Sequence, residues 1–205
     1  MKKTDWAGRI KPILFLTLLA PAMMLGWLAF QNHLGPDPAK ALVDQTGLWT
    51  IRILLLSLAM TPLRLFTGQS FWIRFRRMIG LFTLFSAMSH FLIYVFLLFG
   101  AEWGALAREL SKRPYIIVGF SALLLMLPLG VTSTRGWQRR LGRKWVILHK
   151  LVYLLAVLGV VHFAWAKKLG LQQVWPYALV LMLLLAVRVH QAFRKRGAKA
   201  AVVTE

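Results

Sequence analysis

Long apolar stretches alternate along the chain with short polar ones. A helix that crosses a bilayer needs ~20 mostly apolar residues. Six stretches meet that length, at about 12–31, 46–65, 78–100, 114–133, 146–166 and 173–191. The linkers between them are short, and no internal repeat or low-complexity tract interrupts the series. The pattern predicts an all-α membrane protein: a single six-transmembrane-helix bundle over residues 1–205 with no soluble domain attached. The first stretch also has features of a cleavable leader, a basic start ("KKTDWAGRIK") and "APA" at 20–22. The apolar run passes straight through APA, however, and some twenty uncharged residues follow Lys11, so a retained helix is expected.

Composition agrees, with 59% hydrophobic residues, 16% charged residues and no cysteine among 205. Disulfides, cysteine-ligated iron–sulfur clusters and thioether-linked haem are thereby excluded. A net charge of +20 would suggest nucleic acid in a soluble protein. Here the basic residues sit in clusters between apolar runs, which indicates membrane topology and lipid rather than nucleic acid. Eighteen basic residues fall on one side: Lys2, Lys3, Arg9 and Lys11; Arg64, Arg74, Arg76 and Arg77; Arg135, Arg139, Arg140, Arg143 and Lys144; Arg188, Arg194, Lys195, Arg196 and Lys199. Only six fall on the other: Lys40, Arg108, Lys112, Arg113, Lys167 and Lys168. Both termini are therefore expected in the cytoplasm. The nine tryptophans all lie at or near predicted helix ends, as an interfacial belt requires.

Polar groups at membrane depth then become the candidates for chemistry. Of five histidines, His33 and His190 lie at loops or helix ends. His90 sits near the centre of predicted helix three, and His149 and His162 lie on helix five. A buried histidine can simply hydrogen-bond a backbone carbonyl or a serine such as Ser86 or Ser89. Three on two helices, with no carboxylate inside any predicted span for a proton relay, favour a metal cofactor such as haem, held by one imidazole from each of two helices. His149 and His162 are thirteen residues apart, a rise of ~20 Å, so they cannot share one iron. They also lie ~140° apart around an ideal helix. A bend or π-bulge, for which Gly159 is the candidate, would be needed to bring them onto one face. Arg52 lies ~9 Å inside predicted helix two. It either snorkels to the headgroups or pairs with a haem propionate.

"TPLR" (61–64), "RRMIGLF" (76–82) followed by His90, and "LGRKWVILHKLVY" (141–153) followed by His162 resemble the MsrQ (YedZ) family of haem-binding membrane subunits, part of the ferric-reductase-like transmembrane group. The resemblance runs from Gly47 to the end of helix six. It implies a b-type haem held near the outer leaflet by His90 and His162. Where the wider group places an inner ligand on helix three, this chain has Arg76 or Arg77, which leaves His149 without a histidine partner there. His149 is then either a ligand of a second haem, a hydrogen-bond partner of a quinone or flavin, or a packing residue. The resemblance further implies a multi-pass protein of the bacterial inner membrane. Such a protein takes electrons from the quinone pool or a cytosolic flavin reductase and supplies a periplasmic MsrP-type molybdopterin enzyme that reduces methionine sulfoxide in oxidised proteins. It also implies FMN, for which no motif here provides a place. The chain has no GxGxxG and no nicotinamide domain, so electrons must reach it from a partner or small carrier. Two other functions stand beside this one: a stand-alone ferric reductase or cytochrome b with another acceptor, and a haem-free scaffold or transporter.

Overall fold

The computed structural model describes residues 6–167 and 170–203. The basic positions Lys2, Lys3 and Lys168 lie outside the described residues. Helices α1 (Trp6–Phe30), α2 (Pro38–Thr67) and α3 (Phe71–Ile93) come first, and α3 runs directly into a π-helical turn at Tyr94–Leu98. There follow α4 (Trp103–Lys112), α5 (Pro114–Val131), α6 (Arg135–Leu141), α7 (Arg143–Leu148), α8 (Leu151–Ala166) and α9 (Leu171–Val203). Six segments are long and apolar enough to cross a membrane: 8–30, 38–67, 71–98, 114–131, 143–166 and 172–194. The protein is thus an all-α, multi-pass membrane bundle.

The helices outrun the apolar stretches where polar residues continue the same backbone. Helix α2 starts at Pro38, eight residues before its apolar stretch. Asp37 caps it by accepting the Lys40 N–H at 3.0 Å, and Pro38 suits a first helical position where no N–H is needed. Gly68 ends the helix with φ +69°, a left-handed conformation that costs glycine little. Helix α3 begins at Phe71 and carries Arg74, Arg76 and Arg77 in its first turns. His90 consequently lies near the end of α3 rather than at its centre. The short helices α4 and α6 fill linkers too short and too polar to read as membrane spans.

Helix α2 forms the centre of the bundle. Its Ile51, Leu54, Leu55 and Leu58 are buried, Leu58 completely, against α3, α5, α8 and α9. Without water to drive apolar surfaces together, membrane helices associate through close packing of small residues and through hydrogen bonds. Both are present. Gly80 on α3 brings that helix close to Ser57 on α2. A polar seam joins the same pair: the Thr50 hydroxyl donates to Ser86 at 2.9 Å, and Ser86 donates to the Thr46 carbonyl at 3.5 Å. This seam leads to His90.

Candidate functional site

His90 on α3 and His162 on α8 come together, with ring centroids 6.3 Å apart and ring planes at 77°. Their surroundings are alike. His90 Nδ1 lies 3.0 Å from the Val43 carbonyl of α2, with the Thr46 hydroxyl at 3.3 Å. His162 Nδ1 lies 2.7 Å from the Tyr115 carbonyl of α5. A carbonyl can only accept, so each Nδ1 carries the proton and each Nε2 is left with its lone pair. The Thr46 hydroxyl gives its own hydrogen to the Leu42 carbonyl and can therefore accept from His90. Past His90 the backbone widens into the π-helical turn, a feature frequent at functional sites.

Two imidazoles that share one metal, each ligating nitrogen ~2 Å away, place their centroids roughly 6 Å apart. The observed 6.3 Å matches that separation. Among the described residues no group of three or more His, Asp or Glu side chains could hold a metal ion. A two-imidazole site suits a metal whose other four ligands come from elsewhere, and the macrocycle of haem provides four nitrogens. The donor set thus fits an iron porphyrin better than a bare ion.

His149 lies toward the basic end of the bundle, and here the local structure differs from the expectation. Gly159 is not where the fifth span changes course; its nearest neighbour across the helix interface is Leu54, at ordinary packing distance. The span breaks instead at His149 and Lys150, between α7 and α8, where hydrogen bonds run from Val152 N–H to the His149 carbonyl and from Tyr153 N–H to the Lys150 carbonyl. Such three-residue spacing tightens the backbone and re-aims what precedes it. The His149 ring stacks on Trp145 at 3.9 Å, and its Nδ1 donates to the Trp145 carbonyl at 3.1 Å. The Trp145 indole in turn donates to the Thr132 carbonyl at 2.8 Å, anchoring α7 to the end of α5. His149 lines a cavity of ≈ 480 Å³ with apolar walls that include Leu54, Leu84, Met126 and Leu155. Arg76, Arg77 and Lys150 also line it. The two arginines at the position noted on helix three therefore face the same space as His149.

Arg52 is exposed on α2. Its Nε donates to the Tyr177 hydroxyl of α9 at 3.1 Å, and its guanidinium lies 4.9 Å from the centre of the Trp49 ring. Tyr177 packs edge-on against Phe163, the neighbour of His162. At the same end, Lys167 bonds Asp44 at 2.8 Å and so ties the end of α8 to the start of α2. Arg113 donates to the Tyr115 hydroxyl, and that bond raises its affinity for the proton above the ordinary arginine value.

Several residues at the site gave no signal in the sequence. Val43 and Tyr115 act through backbone oxygens, which residue type does not reveal. Gly47 and Gly119, on which the two rings rest, resemble any other membrane-helix glycine. Arg188, counted with the basic end, reaches into the bundle instead: it donates to the Leu184 carbonyl at 2.7 Å and to the Leu58 carbonyl, over the ring of Tyr153.

The family described as the ferric reductase like transmembrane component matches residues 46–160, the region that carries most of α2, all of α3 and α5, and most of α8. A protein-methionine-sulfoxide reductase heme-binding subunit MsrQ of Xanthomonas campestris pv. campestris (strain B100) is 44% identical over 205 residues, covering 97% of this chain and 94% of the relative. Its namesake in Xanthomonas axonopodis pv. citri (strain 306) is 43% identical over 196 residues, 93% of this chain and 90% of the relative. The protein of the same name in Bordetella parapertussis is 43% identical over 193 residues, covering 93% and 94%.

Proposed function

The chain belongs to the ferric-reductase-like transmembrane family, and on that premise we propose that it is a membrane b-type cytochrome of a methionine-sulfoxide reductase system. In this reading it sits in the bacterial inner membrane with both termini in the cytoplasm. It takes electrons from the quinone pool or a cytosolic flavin reductase and delivers them to a periplasmic MsrP-type molybdopterin enzyme. The observation that carries the proposal is the His90–His162 pair, two imidazoles from different helices at the spacing of a shared iron. Bound there, a haem supplies one-electron exchange between ferric and ferrous iron.

The chain's own residues define the rest. His90 and His162 would hold the haem iron, and a pair of imidazole ligands would suit simple one-electron transfer. The Val43 and Tyr115 carbonyls hold both rings in the tautomer that can ligate. Arg52 is the proposed propionate partner. Tyr177 occupies its Nε, and its two terminal nitrogens make no hydrogen bond among the described residues, so they remain for a carboxylate. The cavity beside His149 is the proposed entry point. Its apolar walls and basic side chains suit a flat, largely apolar redox group with an anionic or carbonyl edge: a second haem, the ring of FMN, or a quinone.

Absorption spectra of the purified protein, oxidised and dithionite-reduced, test the reading. A b-type spectrum that His90→Ala or His162→Ala abolishes or strongly depletes is expected. A colourless protein overturns the proposal in favour of a haem-free scaffold or transporter. Full haem with unchanged spectra in both variants overturns the ligand assignment. A stand-alone ferric reductase would have the same spectrum but would not reduce the molybdopterin partner.

A further inference from the structure

The two histidine seats share one design. Gly47 follows Val43 by four residues on α2, and Gly119 follows Tyr115 by four on α5. Each ring lies against the glycine and donates Nδ1–H to the carbonyl four residues earlier. Helix geometry explains the coincidence. The carbonyl of residue i points along the axis toward the N–H of residue i+4. A ring that reaches this oxygen from a neighbouring helix passes over residue i+4, where a side chain would stand in its way. A Cβ added at Gly119 would lie 2.6 Å from both Cε1 and Nδ1 of His162 and 3.0 Å from its Cγ. One added at Gly47 would lie 3.1 Å from Cε1 and 3.3 Å from Nδ1 of His90. Real Cβ atoms essentially never show contacts below 3.0 Å, so alanine at 119 must displace the ring or the helix, whereas at 47 a shift of a few tenths of an ångström suffices. Around Gly26 on α1 an added Cβ meets nothing within 4 Å.

We propose that Gly47 and Gly119 are positioning residues for the two iron-binding histidines: by lacking a side chain, each lets one ring rest on a helix backbone, where a carbonyl holds Nδ1–H and leaves Nε2 for the metal. The inference rests on the haem reading of His90 and His162, but the seat itself is measurable without cofactor. The acceptor oxygens belong to the backbone, so no side-chain substitution deletes them, and the glycines are the means of disturbing the bond. A carbonyl on Nδ1–H strengthens the donor character of Nε2 and so favours ferric iron. Losing that bond raises the midpoint potential.

The test compares Gly119→Ala, Gly47→Ala and Gly26→Ala with the parent protein in detergent, using variants that remain monodisperse. Nitrogen-15 NMR of histidine-labelled protein prepared without haem reports the tautomers. Electron paramagnetic resonance and potentiometry of the haem-loaded protein report ligation and potential. Gly119→Ala is expected to lose the Nδ1–H signature of His162, to gain a high-spin ferric fraction and to shift the potential upward. Gly47→Ala should do the same at His90 to a smaller degree, and Gly26→Ala should change nothing. If Gly119→Ala does not stay folded, Gly47→Ala against Gly26→Ala decides. Parent-like tautomers, spin state and potential in the seat variants overturn the proposal, as does an equal shift in Gly26→Ala. A parent protein that takes up no haem, yet loses the tautomer signatures in the seat variants alone, overturns the haem reading and leaves the seat supported.

Discussion

Arg52 shows how one residue's role turns on its neighbours. On sequence it is the arginine well inside a predicted span, torn between the headgroups and a buried partner. The structure gives it Tyr177 and Trp49, and its terminal nitrogens make no hydrogen bond among the described residues. A cation near the haem disfavours the more positive ferric form. Arg52→Gln is therefore expected to lower the midpoint potential by on the order of tens of millivolts, since the group is exposed and solvent screens much of its field. Redox titration beside Lys40→Gln checks this. Lys40 lies near the start of α2, where water and salt screen it, so its loss should barely move the potential. Equal shifts in both variants would mean a general surface-charge effect, and no shift in Arg52→Gln would mean that other groups anchor the propionates.

At the scale of elements, the division of the fifth span into α7 and α8 governs His149. An unbroken helix would carry His149 and His162 on faces ~140° apart. The step at His149–Lys150 separates α7, which Trp145 ties to the end of α5, from α8, and His149 at that step lines the cavity. His149→Ala should keep the haem proposed to sit between His90 and His162. It should slow reduction by quinol or reduced flavin on the order of tenfold, the rate equivalent of one lost hydrogen bond of about 1.4 kcal/mol. Stopped-flow reduction followed at the haem absorption band measures it. An unimpaired rate would make His149 a packing residue that happens to border the cavity. The break itself was hard to foresee, because "WVILHKLVY" carries neither proline nor glycine. What distinguishes the position is tertiary: Trp145 is tied to the end of α5, a contact that the local sequence does not announce.

For the whole molecule, the alternating spans put Arg64, Arg76, Arg139 and Arg194 at one end, and Lys40, Lys112 and Lys167 at the other. The excess of positive charge predicts that the first end faces the cytoplasm. Because the natural chain has no cysteine, single substitutions report topology without background. Asn32→Cys and Ser111→Cys should react with a membrane-impermeant maleimide added to the periplasmic side, and Gln69→Cys and Arg139→Cys only after the cells are opened. All four positions are exposed. The reverse pattern would invert the bundle and, with it, the proposed direction of electron flow.

The amino-acid sequence by itself determined the membrane class, the number of spans and the histidines worth asking about. Hydropathy over twenty residues is a sum that no neighbour can cancel, and an imidazole at membrane depth stands out against its surroundings. It also excluded His149 and His162 as partners on one iron, since helical rise alone separates them. What it could not decide was everything that depends on a second helix. Charge counting left the partner of His90 open and the family resemblance implied His162, but the distance between the rings, 6.3 Å, is set by how α2 and α5 hold α3 and α8. The seats on Gly47 and Gly119 arise where α2 meets α3 and α5 meets α8, from an oxygen and a missing side chain. Neither is a feature that residue type announces, because a backbone carbonyl is the same at every position and a glycine acquires its meaning from what rests against it.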